Sequence, residues 1–315
     1  MNEILPFRAA AALADVPDDR RWLIDGLWAA EAVGIVGGEP KCCKSFLALD
    51  MAVAVASGAP CLGRFTPADR GRVLLFAAED SLPIVRRRLE AIAIAAGTAL
   101  DDLDIQVITA PTLRLDLVDD RDRLARTVAH LRPRLLILDP FVRLHRIDEN
   151  VSGEVAPLLA YLRELQRLHA VAVVLVHHAR KGAGKARAGQ ALRGSSEFHA
   201  WGDSNLYLRR HGDDLVLTVE HRAAPSTSGL HVALKADGAA LALRVVDAPA
   251  VVANAAPTAL EKIERALADA ATPLTIAALR AACHIRNKNV ALALATLVAE
   301  GRVRKTSAGY LLASR

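Results

Sequence analysis

The chain has 315 residues, 52% of them apolar, which allows one large domain or two ordinary ones. No run of about 18 uncharged apolar residues predicts a membrane span, and the N-terminus lacks the pattern of a secretory signal. The four cysteines form neither CxxC pairs nor a zinc spacing, so we expect free thiols in a reducing cytoplasm, and the net charge of +5 favours anionic partners.

Residues 22–178 alternate between apolar runs and amphipathic segments. The lead-in "WLIDGLW" (22–28) is rich in core-forming residues. We predict helices over residues 44–58, 82–97, 121–131 and 153–170, and strands over residues 32–38, 72–80, 103–110, 133–140 and 171–178. Because the strands are continuously apolar and helices separate them, this part of the chain predicts a parallel sheet with helices on both faces.

From about Asp203 the pattern changes to short strands joined by polar turns. The runs "SNLYLRR", "DLVLTVEH", "LHVALKA" and "LALRVVD" predict an antiparallel extension of the sheet. The uncharged, proline-flanked stretch "APAVVANAAPT" (248–258) predicts a linker. We therefore expect an α/β domain over residues 1–250 and a smaller domain over residues 251–315.

The segment after the linker contains three predicted helices and a tight hairpin, "RVRKT-SAG-YLLA", an order typical of a winged helix-turn-helix. It also holds the basic excess, since nine of the 40 Lys and Arg residues but only four of the 35 Asp and Glu residues lie after residue 249. An anionic partner, with nucleic acid the first candidate, is expected here. A merely soluble basic tail is the alternative.

Basic side chains stand where a winged helix usually meets DNA. The third helix, which would enter the major groove, begins with Arg286 and Lys288, and the wing carries Arg302, Arg304 and Lys305. The body of that helix, "VALALATLVAEG", offers few side chains that could read bases. Phosphate binding is therefore better supported than sequence-specific recognition, and docking of a partner protein is the alternative.

The stretch "GGEPKCCKS" (37–45) fits the phosphate-binding pattern G-x-x-x-x-G-K-[ST], except that Cys43 replaces the second glycine. It lies between a predicted strand and a predicted helix, where backbone N–H groups can converge on a phosphate. Lys44 would neutralise the β- and γ-phosphates, and Ser45 would bind Mg²⁺. The predicted nucleotide-binding residues are Gly38, Glu39, Pro40, Lys41, Cys42, Cys43, Lys44 and Ser45.

Carboxylates end two further predicted strands. "LLILD" carries Asp139 to the carboxyl edge of the sheet, where it can hold Mg²⁺ next to Ser45. "LLFAAED" ends in Glu79 and Asp80. Glu79 is the better general base for an attacking water, because Asp80 can cap the helix that follows.

A third strand, within "VVLVHHARKG", ends in His177 and His178. A polar group at that position can sense a γ-phosphate and transmit its presence to the next loop. On its own, a pair of histidines is more often structural, and no third ligand at metal spacing supports a zinc site.

These motifs occur together and in order, as "GEPKCCKS", "LLFAAED", "LLILDP", "LVHHARKG" and "LRGSSEF". The set resembles the RecA-like P-loop ATPases, and most of all the RepA type of hexameric helicase, over roughly residues 20–222. The resemblance implies a RecA-like core that assembles as a homo-hexameric ring, with ATP and Mg²⁺ bound between neighbouring subunits. It matches Glu79 to the catalytic glutamate, Asp139 to the Mg²⁺-linked aspartate and His178, or alternatively His177, to the γ-phosphate sensor.

The resemblance also implies a loop, "KGAGKARAGQALR" (181–193), that faces the channel of the ring and touches single-stranded DNA. Its charges and glycines suit phosphate contacts rather than base stacking. The residues concerned are Lys181, Lys185, Arg187 and Arg193, and an ordinary flexible surface segment is the alternative.

An arginine finger that reaches the neighbouring γ-phosphate is a further element of this family. Arg222 in "VEHRAAP" fits that role, although Glu220 stands where the wider family keeps a lysine. The rival arginines are Arg193, Arg209 and Arg210.

Cys43 departs from the phosphate-loop pattern in a way that has two consequences. If its φ angle is positive, its Cβ costs about 1 kcal/mol, which weakens or retunes nucleotide affinity without abolishing it. The adjacent thiols of Cys42 and Cys43 also raise the hypothesis that oxidation or alkylation blocks ATP binding.

The leading functional hypothesis is an ATP-hydrolysing, DNA-associated motor, a helicase or translocase of a plasmid, phage or other mobile element. Its expected partners are single-stranded DNA, copies of itself and replication or mobile-element proteins, without a membrane. The alternative is a nucleotide-switched DNA-binding or assembly regulator that has no helicase activity.

Overall fold

The computed structural model describes residues 4, 7–13, 17, 20–178, 197–211, 214–248, 259–270, 272–283 and 287–313. The chain divides into two compact units, Met1–Asp247 and Ala248–Arg315. The predicted linker falls largely outside the described residues. Within the described ranges, no helix combines the length and the apolar character that crossing a bilayer requires.

The first unit is a mixed α/β structure. Its strands are β1 (Trp22–Ile24), β2 (Trp28–Ala29), β3 (Val33–Gly38), β4 (Val73–Ala77), β5 (Ile105–Val107), β6 (Leu135–Asp139), β7 (Ala172–His178), β8 (Ser204–His211), β9 (Asp214–His221), β10 (Thr227–Asp237) and β11 (Ala240–Val245). Its helices are α1 (Lys44–Ser57), α2 (Leu82–Ala95), α3 (Val118–Leu131), α4 (Ser152–His169) and α5 (Glu197–Trp201). Short 3₁₀ turns cover Ala10–Ala12, Leu100–Asp102 and Phe141–Arg143.

The described strands β3 to β11 form one nine-stranded sheet in the order β11-β10-β9-β8-β3-β7-β6-β4-β5. The six strands from β8 to β5 pair in parallel, and β9, β10 and β11 continue the sheet in antiparallel fashion. This arrangement confirms the predicted α/β class, with its mostly parallel sheet and antiparallel extension. Since parallel strands end at the same edge, the carboxyl ends of β3, β7, β6 and β4 meet there.

Both faces of the parallel sheet are covered. In β6, Leu135 and Ile137 pack in one apolar cluster with residues of α1 and α2. The intervening Leu136 and Leu138 pack in a second cluster with residues of α3 and α4. A strand that is buried on both faces needs apolar residues at every position, which is why "LLIL" shows no alternation of apolar and polar residues.

Helix α3 begins three residues earlier than the sequence predicted. Asp119 and Asp120 occupy its first turn, where carboxylates interact favourably with the helix dipole. Asp120 also accepts a hydrogen bond of 2.8 Å from the backbone N–H of Arg114, which attaches the start of the helix to the preceding loop. The prediction missed this start because it relied on the spacing of apolar residues, and Asp119 and Asp120 are polar.

Helix α1 is attached to the last strand of the sheet through a buried carboxylate. Asp50 of α1 accepts a hydrogen bond from the backbone N–H of Leu62 at 2.5 Å and one from the thiol of Cys61 at 3.2 Å. Arg244 of β11 lies 3.8 Å from Asp50 and donates to the carbonyl of Ala95 in α2 at 2.7 Å. One arginine therefore connects β11, α1 and α2.

The second unit contains α6 (Ala259–Ala268), α7 (Ile276–Cys283), α8 (Asn287–Ala299), β12 (Val303–Thr306) and β13 (Gly309–Leu312). The helices share an apolar core that includes Ile263, Leu279 and Leu297. Strands β12 and β13 pair as an antiparallel hairpin. The predicted order of three helices and a hairpin is thus present, and its identity as a winged helix stays a prediction.

Candidate functional site

The loop between β3 and α1 has a backbone that few sequences can adopt. Gly38, Lys41 and Cys43 have φ angles of 155°, 65° and 62°. A Cβ atom on Gly38 would lie 2.3 Å from the carbonyl oxygen of Leu208, so only glycine fits there. Cys43 lies in the left-handed region at the N-cap of α1, so the condition that the sequence analysis set for a strain cost, a positive φ, is met.

Lys44 is the first residue of α1 and is only 5% exposed. Its ammonium group donates a hydrogen bond of 2.8 Å to the carbonyl of Glu39, which folds the loop around it. Burial lowers the pKa of Lys44, and the nearby groups of Cys42, Asp139 and Glu79 oppose this effect. The loop thus holds a buried cation whose charge an incoming anion would balance.

Asp139 ends β6 and lies close to Ser45 of α1, although β7 separates β6 from β3, the strand that leads into the phosphate loop. Burial raises the pKa of Asp139 to about 6, even though a hydrogen bond with Ser45 and the charge of Lys44 act in the opposite direction. A buried carboxylate beside a hydroxyl group is a pair of oxygen ligands that suits Mg²⁺.

Within the part of the chain that the structure describes, no three His, Cys, Asp or Glu side chains form a metal-binding group by themselves. Mg²⁺ is usually held by one or two carboxylates together with substrate phosphates. Ser45 and Asp139 are the residues that would hold it here.

The two acidic residues after β4 have different partners. Glu79 forms an ion pair with Arg143, whose Nε lies 2.9 Å from Glu79 Oε1. Asp80 forms an ion pair with Arg88 of α2. The prediction that Asp80 caps α2 is wrong, because Ser81 occupies the N-cap position and Asp80 is directed to an arginine almost two turns into the helix.

The two histidines at the end of β7 lie in different environments. His178 pairs with Gly38 in the sheet and lines the cavity beside the loop. His177 is 1% exposed and stacks on Phe198, with ring centroids 4.4 Å apart. Of the two candidates for a γ-phosphate sensor, His178 therefore lies at the cavity and His177 in the core, while the role itself stays a prediction.

A cavity of about 300 Å³ brings the predicted residues together. Eight of them line it, and five of these come from α1 and from three strand ends: Lys44, Ser45, Glu79, Asp139 and His178. Lys41, Cys42 and Cys43 also line it, whereas Gly38, Glu39 and Pro40 shape the loop without appearing in the lining.

Three residues of the cavity lining, Phe46, Arg88 and Val176, were missed by the sequence analysis. Arg88 of α2 reaches the cavity and places its guanidinium 5.2 Å from the centre of the Phe46 ring. Phe46 follows Ser45 in α1 and also lines the cavity. The run of three arginines in "LPIVRRRLE" was the only signal for Arg88, and nothing in it indicates which of them turns inward.

Arg222 lies away from this cavity. It follows β9, and its Nε is 3.5 Å from Asp203, whose backbone N–H donates to the carbonyl of Val33 at the start of β3. Since the phosphate loop follows the end of β3, Arg222 lies at the opposite edge of the sheet. The side chain is 56% exposed, and its guanidinium also donates to the carbonyls of Ala200 and Trp201.

The rival arginines differ in position. Arg210 of β8 donates to the carbonyl of Lys41 at 3.4 Å, so it lies beside the phosphate loop of its own chain. Arg209 is its neighbour on the same strand, and Arg193 lies outside the described residues.

The residues predicted to contact nucleic acid fall into two groups. Lys181, Lys185, Arg187, Arg193 and Arg286 lie outside the described residues, and of Lys288 only the backbone is described. Arg304 and Lys305 are exposed on β12. Arg302 directly precedes β12, and its guanidinium binds Glu264 at 2.5 Å and Glu300 at 2.9 Å. Arg302 is therefore less available to a phosphate than its two neighbours.

Comparison with known protein families gives one finding that bears on this site. A family model described as an AAA domain matches residues 2–184, which is more than half of the chain. The matched region contains the phosphate loop, Glu79, Asp139 and His178, so it includes every residue that the cavity brings together.

Proposed function

The chain belongs to the AAA domain family, and on this premise we propose that it is an ATP-hydrolysing, DNA-associated motor of the RepA-like hexameric type. The family match and the mostly parallel α/β sheet support an ATPase. The observation that carries the proposal is the convergence of Lys44, Ser45, Glu79, Asp139 and His178 on one cavity. ATP with Mg²⁺ is the ligand that this set of groups suits.

Each group around the cavity has a defined task in this proposal. Lys44 stabilises the negative charge that develops on the β- and γ-phosphate oxygens. Ser45 and Asp139 would hold Mg²⁺, and the bound ion would neutralise phosphate charge. Glu79 orients the attacking water and accepts its proton. His178 senses whether a γ-phosphate is present.

The proposed motor is a homo-hexameric ring in which Arg222 of one subunit reaches the nucleotide of its neighbour. The exposure of Arg222 and its distance from its own phosphate loop support this role. The segment 181–193 would contact single-stranded DNA in the channel, and Arg304 and Lys305 would add phosphate contacts from a winged-helix domain.

A nucleotide-switched assembly regulator is the second candidate, and one observation favours it. The side chains that α8 exposes from Asn289 onward are uncharged, and Leu292 is 69% exposed. Such a face suits a protein partner better than a DNA groove, whose readers are charged or amide side chains.

Three measurements separate these proposals. We expect Mg²⁺-dependent ATP hydrolysis that single-stranded DNA stimulates, displacement of a strand from a forked substrate, and ring-sized particles by mass photometry with ATP. The Glu79→Gln variant should bind ATP and hydrolyse it at least about 100-fold more slowly, as loss of a general base predicts. Hydrolysis without DNA stimulation or strand displacement would support the regulator, and a Glu79→Gln variant with unchanged kcat would contradict the catalytic assignment.

A further inference from the structure

The adjacent cysteines of the phosphate loop lie in different environments. Cys42 is 1% exposed, and its thiol donates a hydrogen bond of 2.8 Å to the carbonyl of Glu39. Its sulfur fills the space beside Gly38, where a Cβ would lie only 2.7 Å from it. Cys43 is partly exposed and lines the nucleotide cavity next to Lys44 and Ser45. Both cysteines line the cavity, but Cys42 is buried and hydrogen-bonded, whereas Cys43 is partly exposed.

The other two cysteines do not compete with Cys43 for a reagent. Cys61 is fully buried and donates its thiol hydrogen to Asp50. Cys283 is also buried, and its thiol donates to the carbonyl of Lys262 at 3.4 Å. Cys43 is therefore the only one of the four cysteines that is not buried.

We propose that Cys43 is a site of reversible modification by a low-molecular-weight disulfide, and that this modification and nucleotide binding exclude each other. The inference rests on the proposed function, because it assigns the cavity to the phosphates of a nucleotide. In the reaction, the Cys43 thiolate attacks one sulfur of the reagent and its S–S bond breaks. The other half leaves as a thiolate and takes up the proton that Cys43 has lost, so the exchange consumes only the disulfide itself.

The product would block the site for two geometric reasons. The adduct would project into a cavity of about 300 Å³ that the phosphates need. It would also lie at the N-cap of α1, in front of the backbone N–H groups that bind a phosphate at a helix N-terminus. Removal of the adduct by a dithiol would restore the site.

An internal disulfide between Cys42 and Cys43 is not the favoured product. Adjacent Cα atoms joined by a trans peptide are about 3.8 Å apart, whereas disulfides usually span about 4.4–6.8 Å. The buried position of Cys42 also keeps its sulfur beneath the loop. The exchange partner of Cys43 therefore comes from solution.

The test uses the full-length chain and glutathione disulfide as the probe. We expect mass spectrometry with peptide mapping to find one glutathionyl group, on Cys43. A non-hydrolysable ATP analogue with Mg²⁺, at about ten times its Kd, should slow this labelling about tenfold, because only the free protein reacts. The adduct should abolish binding of a fluorescent ATP analogue, and dithiothreitol should restore it.

The Cys43→Ala variant is the matched control, since it keeps the Cβ and lacks the thiol. It should acquire no adduct, and the reagent should not change its nucleotide affinity. Labelling at Cys42, labelling that nucleotide does not slow, or nucleotide binding that survives the adduct would each overturn the inference alone. Failure of the reduced, unlabelled protein to bind ATP would instead contradict the proposed function, and the inference with it.

Discussion

Arg143 holds the carboxylate of Glu79 through an ion pair of 2.9 Å, and the two side chains are 61% and 43% exposed. Arg143 ends the 3₁₀ turn that begins two residues after Asp139. The partner of Glu79, the general-base candidate, therefore follows Asp139, the Mg²⁺-ligand candidate, by four residues. In this arrangement Oε1 of Glu79 is engaged by Arg143, and opening of the pair would free this oxygen for an attacking water.

Substitution Arg143→Gln should raise kcat for ATP hydrolysis without a matching change in KM. Exposed ion pairs contribute up to about 1 kcal/mol, so release of Glu79 should increase kcat by at most about fivefold. Steady-state kinetics with saturating Mg²⁺ measure this effect. Arg143→Lys retains a cation near Glu79 and serves as the control, with a smaller increase. A fall in kcat for Arg143→Gln would show that Arg143 positions Glu79 for catalysis.

The meeting of Lys44, Asp139 and His178 could be predicted from the sequence because it depends on the backbone alone. Each residue ends a continuous apolar strand or follows one, and parallel strands end at one edge of a sheet. The pairs Glu79–Arg143 and Asp80–Arg88 could not be predicted. Glu79 and Arg143 are 64 residues apart, so only the folded chain brings them together. Asp80 and Arg88 are 8 residues apart, but the run of three arginines does not indicate which of them faces Asp80.

The error over Asp80 has a local cause. The sequence "AEDSLP" offers both Asp80 and Ser81 as caps one residue apart, and helix ends are the least certain feature of a sequence-based prediction. In the structure the helix begins one residue later than a cap at Asp80 requires, which leaves the carboxylate of Asp80 free to bind Arg88.

Replacement of Cys43 by glycine should stabilise the protein and tighten nucleotide binding. The φ angle of 62° is unfavourable for a residue with a Cβ, and relief of this strain is worth about 1 kcal/mol. Thermal unfolding should report a higher Tm for Cys43→Gly. Cys43→Ala separates the two causes, because it removes the thiol and keeps the Cβ. Equal Tm values for Cys43→Gly and Cys43→Ala would contradict the explanation by strain.

Asp50 should make the stability of the fold decrease as the pH rises from 4 to 7. Burial raises the pKa of Asp50 from 3.8 to about 6. Between pH 4 and pH 6 the unfolded chain has therefore lost a proton that the folded chain retains. A difference of about two pKa units corresponds to about 3 kcal/mol. The free energy of unfolding of Asp50→Asn, relative to that of the wild type, should therefore increase by about this amount between pH 4 and pH 7 in urea titrations.

Asp104 provides a control of opposite sign. Hydrogen bonds from Gln106 and Arg72 lower the pKa of this carboxyl group, so its contribution to stability is lost as the pH falls. Asp104→Asn should thus be more destabilising at neutral pH than in acid. If Asp50→Asn showed the same pH profile as Asp104→Asn, the buried carboxylate would not be the source of the effect.

Arg304 and Lys305 should contribute more to DNA binding than Arg302 does. The logarithm of the DNA-binding constant falls linearly with the logarithm of the salt concentration. Removal of two phosphate contacts should make this slope shallower by about two. Fluorescence anisotropy of the Arg304→Ala/Lys305→Ala variant at several salt concentrations measures this slope. Arg302→Ala is the matched control, since Glu264 and Glu300 already engage its guanidinium. A larger loss with Arg302→Ala would contradict the ranking.

Arg222 should act on the nucleotide of a neighbouring subunit, and a mixture of two inactive variants can show this. Lys44→Ala removes the phosphate contact of a subunit, and Arg222→Ala removes the finger that it offers to its neighbour. In a head-to-tail ring assembled at random from equal amounts of both, about a quarter of the interfaces combine an intact loop with an intact arginine. We therefore expect about a quarter of wild-type ATPase activity in the mixture and almost none in either variant alone.

Two controls make the mixing experiment decisive. Arg222 shares Asp203 with Arg163, so thermal unfolding must first show that Arg222→Ala leaves the fold intact. Arg210→Ala, mixed with Lys44→Ala in the same way, tests the rival that lies beside its own phosphate loop. Because an arginine that serves its own loop cannot be complemented by a neighbour, recovery with Arg210→Ala and not with Arg222→Ala would transfer the role to Arg210. Recovery with neither would mean that the arginine and the loop act within one subunit.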